Sequence, residues 1–546
     1  MNSKNNIIVI IFCLCSFIIL GNWQKIYNYI QNNRKIVINK NLINIDNKYK
    51  KTSNINNNNN ILVKTNKFFL YINPYGGTIE KVQLLDYLDK LNSKKFFTLL
   101  RKNSDFIYQI KSGIIQKNNF EKNRFFNKNS KFFSKSYNFN FKKNTNILKI
   151  PLFFIKKNIL YIKTFSFTKE NYLININHQI FNKSKKPICL GIFGQIDKSS
   201  YTPEKYLDKK KNNISAKIFN NVAISTENFK FKKYKFSHIL KNKEINIPVN
   251  YGWVAMLQQY FTSAWIIPKL HKKNNIYIKK LFNNIISIGF KSANYLILPG
   301  EKYNFVSKLW IGPKIQEKMS KVAPFLDLTI DYGFWGFLSR PLFKLLNLLF
   351  NLIGNWGFAI IMITLIIRIL TYPLSKEQYI AIAKMNFLQP KIKKIKEIFS
   401  NDKEKYTKEI ISLYKKENLN PLSGFIPFII QMPIFLALYY TLTNSIELRH
   451  ASFIFWIKDL SSQDPYYILP IIMSITMLLI QKISQNNFDK DDIQAKFTYI
   501  IPIIFSLFFL WLPSGLVLYY IINNLITILQ QKWVFYKIKN KYYKKI

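Results

Sequence analysis

From residue 61 to about 312 apolar residues recur mainly at every second position, whereas beyond residue 334 they gather in long runs or return at steps of three and four. The stretches "ILVKTNKFFLYI" (61–72), "LYIKTFSF" (160–167) and "YLININHQI" (172–180) follow the first rhythm, which sends alternate side chains to opposite faces of a strand. Gly76 and Gly77 in "NPYGGTIE" mark a tight turn between two such strands. An all-β sandwich is expected over 61–320. Residues 321–350 then form a linker and a helix: "FWGFLSRPLFKLLNLLFNLIG" (334–354) carries Arg340 and Lys344 among its apolar positions and reads as a helix lying in a membrane interface.

The long runs are membrane spans. Residues 7–20, "IIVIIFCLCSFIIL", are extended by "GNW" and followed by no small-x-small cleavage site, so 1–23 reads as an uncleaved anchor and 24–60 as a polar tether. A second span lies at 351–374, closed by Pro373, and 421–531 holds the others. Runs at 425–443 and 466–481 supply two, and the run from 497 to 531 supplies two more. As one helix that last run would reach about 52 Å, against a hydrocarbon core of about 30 Å, and "LPSG" at 512–515 divides it. The total is six. The last three spans are short, at about 23 Å each, which implies local thinning of the bilayer.

Between the second and third spans, residues 375–420 read as two amphipathic helices around "SND" at 400–402. Leu388, Ile392, Ile395 and Phe399 make one apolar stripe, and Tyr406, Ile410 and Leu413 make the other. Two such stripes cover each other in an antiparallel hairpin, whose outer faces carry most of the eleven lysines and six acids of 376–417.

Charge changes the picture less than its size implies. Lys+Arg is 81 against Asp+Glu at 28, a net +53, but the lysines are spread through the whole chain beside equally abundant Asn and Ile. That is a compositional bias and not a nucleic-acid footprint, so no specific DNA binding is expected. Locally, the tail at 532–546 holds six lysines and no acid, while the 444–465 loop balances Arg449 and Lys458 against Glu447, Asp459 and Asp464. The positive-inside rule then puts both termini in the cytoplasm and the β domain outside.

Three cysteines and four scattered histidines give neither a disulfide framework nor a metal site, and no glycine-rich phosphate loop occurs. No cofactor, metal or catalytic residue is therefore expected, and the chain does not read as an enzyme. The candidate chemistry sits in the spans. Arg368 interrupts "IIMITLIIRILTYP" (360–373), and Thr364, Arg368, Thr371 and Ser375 recur at steps of four, three and four on one helix face. Gln431, Ser506, Tyr519, Tyr520, Asn523 and Asn524 add polar groups from other spans. In hydrocarbon such groups face one another or water. A snorkelling arginine, or the anion site of a small-solute channel or transporter, fits the same pattern.

The motifs decide between these readings. "SRPLFKLLN" (339–347), "GNWGFAIIMITLIIRILTYPLSKEQY" (354–379), "LYKKENLNPLSGFIPFIIQMPIFLALYYTL" (413–442) and "FFLWLPSGLVLYYIINNL" (508–525) resemble the YidC/Oxa1/Alb3 family of membrane protein insertases, on its Gram-negative bacterial side. The resemblance covers essentially the whole chain and is weaker in the outer domain. It implies a polytopic α-helical protein of the bacterial inner membrane, with a five-helix insertase core, a periplasmic β-sandwich and a cytoplasmic hairpin. It also implies that the family's groove arginine falls on Arg368, with Thr364, Gln431, Tyr519 and Tyr520 lining or flanking the groove. The partners implied are nascent membrane proteins, the Sec translocase, the translating ribosome and membrane lipids.

Overall fold

The structure is a computed structural model that describes residues 60–91, 93–116, 130–142, 145–203, 220–241, 244–269, 272–399, 402–417, 426–484, 500 and 503–543. The anchor expected at 1–23, the tether but for residue 60, and parts of the third and fifth spans lie outside the described residues.

Two sheets, of eleven and eight strands, make up the region from Ile61 to Pro313. In the larger, Ile188–Ser199 runs antiparallel between Ile107–Gln116 and Ile285–Lys291. In the smaller, Ile159–Thr168, Leu173–Asn182, Lys302–Pro313 and Phe261–Ile267 are successive antiparallel neighbours. The alternation that predicts these strands is kept to the residue: Ile159, Tyr161, Lys163, Phe165 and Phe167 are buried, and the residues between them are half-covered. The expected strand over 61–72 is instead two, Ile61–Lys64 and Phe68–Asn73, because the Thr65 hydroxyl accepts from the Lys67 and Phe68 amides and turns the chain. Gly76 and Gly77, both at positive φ, make the turn from Phe68–Asn73 to Thr78–Leu88.

What joins the sheets is large and aromatic. Trp253, Trp265 and Trp310 are fully buried, and Trp265 lies so close over Gly194 that a Cβ there would meet its ring at 2.6 Å. Tyr108 and Ser263 share a hydrogen bond of 2.6 Å from one sheet to the other. Lys163 has no choice of face, since a strand's period of two places it inward with its phenylalanine neighbours. Its Nζ donates to the carbonyls of Gly77 at 2.7 Å and Ser112 at 3.0 Å, both on the opposite sheet's side. Burial pushes this amine down to about 7. Burial, with Lys163 beside it, holds His178 well below the usual imidazole range.

The helical part begins with α1 (Gly336–Ile353), ended by Gly354 at φ 76°. Asn355 then caps α2 (Trp356–Ile398) by accepting from the Gly357 and Phe358 amides. Contrary to the expectation that Pro373 closes this helix, α2 runs through it and through Pro390. A proline removes one backbone donor; it stops a helix only where nothing else favours continuing it, and here the apolar and amphipathic faces on either side do. Beyond the described gap come α4 (Ile426–Asn444), α5 (Ile468–Ser484), a helical stretch at 503–509 and α6 (Ser514–Tyr543), with α3 (Lys403–Lys416) preceding them. The break before Ser514 falls where "LPSG" places it, and the basic tail continues α6 as helix to Tyr543. Among the described residues one helix, Trp356–Ile395, is long and apolar enough to cross a bilayer, and Ile468–Ser484 is a shorter apolar helix.

Helices α1 and α4 bond directly through Ser339, whose Oγ donates to the Ala437 carbonyl at 3.0 Å, while Thr441 Oγ1 donates to that same carbonyl on its own helix at 2.8 Å and lies 3.3 Å from the Ser339 carbonyl. The chain after α4 is anchored in the β domain. Ile446 packs in the sandwich core, and Arg449 donates to the carbonyls of Leu88 and Asp89 at 2.8 and 3.1 Å while lying over the rings of Phe97 and Phe261.

In the segment 387–417, Leu388 is buried and Ile392, Ile395 and Phe399 are half-buried, whereas Ile398, off the stripe, is 71% exposed. Tyr406, Ile410 and Leu413 on α3 are likewise half-buried, and Asp402 caps that helix through the amides of Glu404 and Lys405. Lys391 meets Glu417 at 3.4 Å.

The buried lysine makes stability depend on pH. Unfolded, it keeps its proton up to about 10.5; folded, it gives it up near 7, so the native β domain binds fewer protons between those values and gains stability as pH rises through them. Below 7 both states are protonated and this contribution is flat. Lys163→Met should reduce the rise of the β-domain melting temperature between pH 7 and 10, followed by circular dichroism of the full chain; an unchanged slope would contradict the assignment.

Candidate functional site

Arg368 lies two-thirds of the way along the apolar part of α2, and α6 supplies its partners. Its Nε donates to Asn523 Oδ1 at 2.6 Å, and its Nη2 reaches the Asn523 carbonyl at 3.3 Å and Thr527 Oγ1 at 2.6 Å. The helix α4 joins through Gln431, whose Nε2 donates to Tyr519 Oη at 2.8 Å and approaches Asn523 Oδ1 at 3.4 Å. Five polar side chains from three helices thus form one hydrogen-bonded chain, and Arg368 is only 8% exposed within it. Among the described residues no carboxylate partners it, and they hold no cluster of acids, histidines or cysteines suited to a metal. Among the described residues the guanidinium is met by amide, carbonyl and hydroxyl dipoles and by no counter-ion.

The local sequence explains the alignment. On α6, Tyr519, Asn523 and Thr527 follow at steps of four and share a face, with Leu516, Val517 and Ile521 packed in the apolar core around them. Asn524, one position on, points elsewhere and donates to Thr476 Oγ1 on α5 at 3.0 Å, which ties those two helices separately. Tyr520 belongs to an aromatic cluster, edge-on to Phe435 at 5.2 Å and Phe509 at 4.8 Å.

The structure thus gathers Arg368, Gln431, Tyr519 and Asn523 from the expected set and leaves others outside the hydrogen-bonded chain. Thr364 shares the face but is fully buried, with its hydroxyl spent on the Ile360 carbonyl at 2.6 Å. Thr371, half-buried, is turned in the same way to Ile367 at 2.9 Å. Ser506 Oγ donates to the Pro470 carbonyl, a helix-to-helix bond away from the arginine. These hydroxyls satisfy themselves on backbone, which a polar stripe alone does not reveal. Thr527 is missing from the sequence reading, although its place eight residues after Tyr519 and four after Asn523 gave the signal. A separate polar cleft of about 330 Å³, bordered by Gly354, Trp356, Glu447 and Arg449, includes none of this set.

Comparison with known proteins places the chain. Residues 60–345 match the family described as YidC periplasmic domain, and residues 348–541 that described as 60Kd inner membrane protein. The chain is 47% identical over 537 residues to the membrane protein insertase YidC of Buchnera aphidicola subsp. Acyrthosiphon pisum (strain APS), with 98% of each covered. It is 47% identical over 481 residues to the protein of the same name from Wigglesworthia glossinidia brevipalpis, covering 88% of both. Among solved structures it resembles an active YidC insertase with its first transmembrane domain resolved, at 16% identity and a TM-score of 0.38, over 87% of this chain and 92% of that one. The assignment rests on the sequence matches.

Asn523→Ala should cost the helical part on the order of 2 kcal/mol, because it strands the Nε of a buried cation and loosens Gln431 at once. Chemical denaturation in lipid nanodiscs measures this; a loss no greater than that of Ser506→Ala, which frees a single hydroxyl contact, would contradict the hub role given to Asn523.

Proposed function

The chain belongs to the YidC family of membrane protein insertases, and from that premise we infer that it inserts membrane proteins through the polar cluster around Arg368. The observation that carries this reading is the buried, uncompensated guanidinium held between helices of the apolar half. A structural anchor for the β domain has no use for such a group. The channel reading is set aside because relatives that match nearly the whole chain carry the insertase name.

Magnitudes show what the cluster has to do. An apolar residue at the centre of a span favours insertion by about 0.3–0.6 kcal/mol, so a 20-residue client segment gains roughly 10 kcal/mol from lipid. Each charged residue crossing the same depth costs about 2.5–3.5 kcal/mol. The driving force is ample; the barrier is the polar flank. Arg368, Gln431 and Tyr519 give that flank hydrogen-bonding groups and a positive potential part-way into the bilayer, and the apolar segment then leaves sideways into lipid. No covalent bond changes, and no cofactor takes part.

The rest of the chain fits around this step. Six spans are proposed, with both termini cytoplasmic and the β domain in the periplasm, so that the hairpin of α2 and α3 lies on the side from which clients arrive. Its stripes, with Ile395 and Ile410 at their centres, hold the two helices together, and its lysines offer a surface to a translating ribosome. The β domain serves partner choice, the Sec translocase included, because the polar cluster lies wholly outside it. The short α5, at about 25 Å, favours a thinned bilayer and so shortens the polar flank's path.

Arg368→Ala should weaken insertion most for a client whose translocated tail is acidic, Arg368→Glu should be worse for that tail, and Arg368→Lys should keep much of the activity because the charge remains. Insertion of one small client with its tail made neutral, acidic or basic, at matched protein levels, is the measurement. Equal losses for all three tails would rule out the electrostatic role.

A further inference from the structure

We propose that Thr527 is a positioning residue that, with Asn523, holds Arg368 with its Nε and Nη2 edge turned inward and offers the Nη1 end to a client. The inference rests on the reading of Arg368 as the cation a client meets, and it adds which part of that cation is available. A guanidinium has five N–H donors in a rigid plane, and the edge carrying Nε and Nη2 is the fork that grips a carboxylate through two parallel bonds. Here both atoms of that fork are taken by α6. Nη2 is drawn to the same side by two α6 acceptors, Thr527 Oγ1 and the Asn523 carbonyl, which lie 2.8 Å apart, so the end carrying Nη1 points away from α6. Among the described residues, Nη1 has no protein partner.

Thr527 is set for this task by its own hydrogen bond. Its hydroxyl donates to the Asn523 carbonyl at 2.8 Å, one turn back, which spends its single hydrogen and leaves a lone pair towards Arg368 Nη2. The Asn523 carbonyl in turn accepts from both Thr527 and Arg368. The result is a closed ring of contacts that fixes the plane of the guanidinium. A client oxygen can then approach only from the Nη1 end, whether it belongs to a carboxylate, a backbone carbonyl or a hydroxyl. With the Nε/Nη2 fork closed, discrimination between clients comes from charge more than from fork geometry, and the contact is weak enough to be released when the segment moves into lipid.

The test uses the full chain in nanodiscs with Thr527→Val, which keeps the shape and removes the acceptor, and Thr527→Ser, which restores the hydroxyl. Nitrogen-15 spectra of the Arg368 side chain should show separate, slowly exchanging Nη1 and Nη2 signals in the wild-type chain and in Thr527→Ser, and averaged signals in Thr527→Val. Without its shorter bond, Nη2 is held by the Asn523 carbonyl alone and turns more readily towards a client, so the preference for a client tail bearing Asp over the same tail bearing Asn should rise roughly fivefold in Thr527→Val, the excess of one charge-assisted hydrogen bond over a neutral one. Should Thr527→Val fail to accumulate, Thr527→Cys removes most of the acceptor strength instead. Averaged Nη signals in the wild-type chain, or a Thr527→Val spectrum and client preference identical to wild type, overturn the proposal. Failure of the groove reading shows separately, as equal losses in Arg368→Ala for every client tail.

Discussion

The bond from Arg368 on α2 to Asn523 and Thr527 on α6 sets the terms for the apolar half of the molecule. A permanent cation buried among aliphatic residues is destabilising unless its donors are met, and α6 accepts three hydrogen bonds from it without neutralising its charge. Because the partners are dipoles and not carboxylates, the positive potential survives the burial. The same residues fix how the helices lie: Asn523 can serve Arg368 and Gln431 together only if α2, α4 and α6 keep one rotation, and the step of four along α6 provides it.

Other polar groups in this half act as rivets between helices. Ser339 joins α1 to α4, Asn524 joins α6 to α5, and Ser506 holds the 503–509 stretch to α5. Each is a short bond spent entirely within the protein. Arg368 differs in having donors left over. The β domain is built on the same economy, with Lys163 filled in by two carbonyls and Tyr108 by one serine. Its connection to the helical part, through Ile446 and Arg449, is a docking of the loop after α4 into the sandwich.

Much of this was legible in the residues. Alternation marked Phe68–Asn73, Ile159–Thr168 and Leu173–Asn182 because one face of each is buried, whereas Ile188–Ser199 and Gly252–Leu257, covered on both faces, carry no such rhythm. Long apolar runs marked α2, α4 and α5, and "LPSG" marked the start of α6. Pro373 misled because a proline's local cost is small beside the packing that carries α2 past it. Lys163 was invisible as a buried residue because lysine is everywhere in this chain, and only strand register sends it inward. At the polar cluster, the spacing on α2 announces Arg368, but spacing cannot tell a hydroxyl facing a partner from one bonded to its own helix, and so it groups Thr364 and Thr371 with the arginine. Thr527 lay beyond the polar run that drew notice, though on its face.

The proposed groove requires the face of α2 bearing Arg368 to meet the client and the opposite face to meet lipid. Leu370 is 73% exposed and Thr371, the next residue, is half-buried on the arginine's side. A photo-crosslinking amino acid placed at 371 or at 370 and exposed to a stalled client in native membranes compares the two directly. The account predicts client adducts from 371 and lipid adducts from 370. Equal client capture at both positions, or lipid alone at 371, would contradict it.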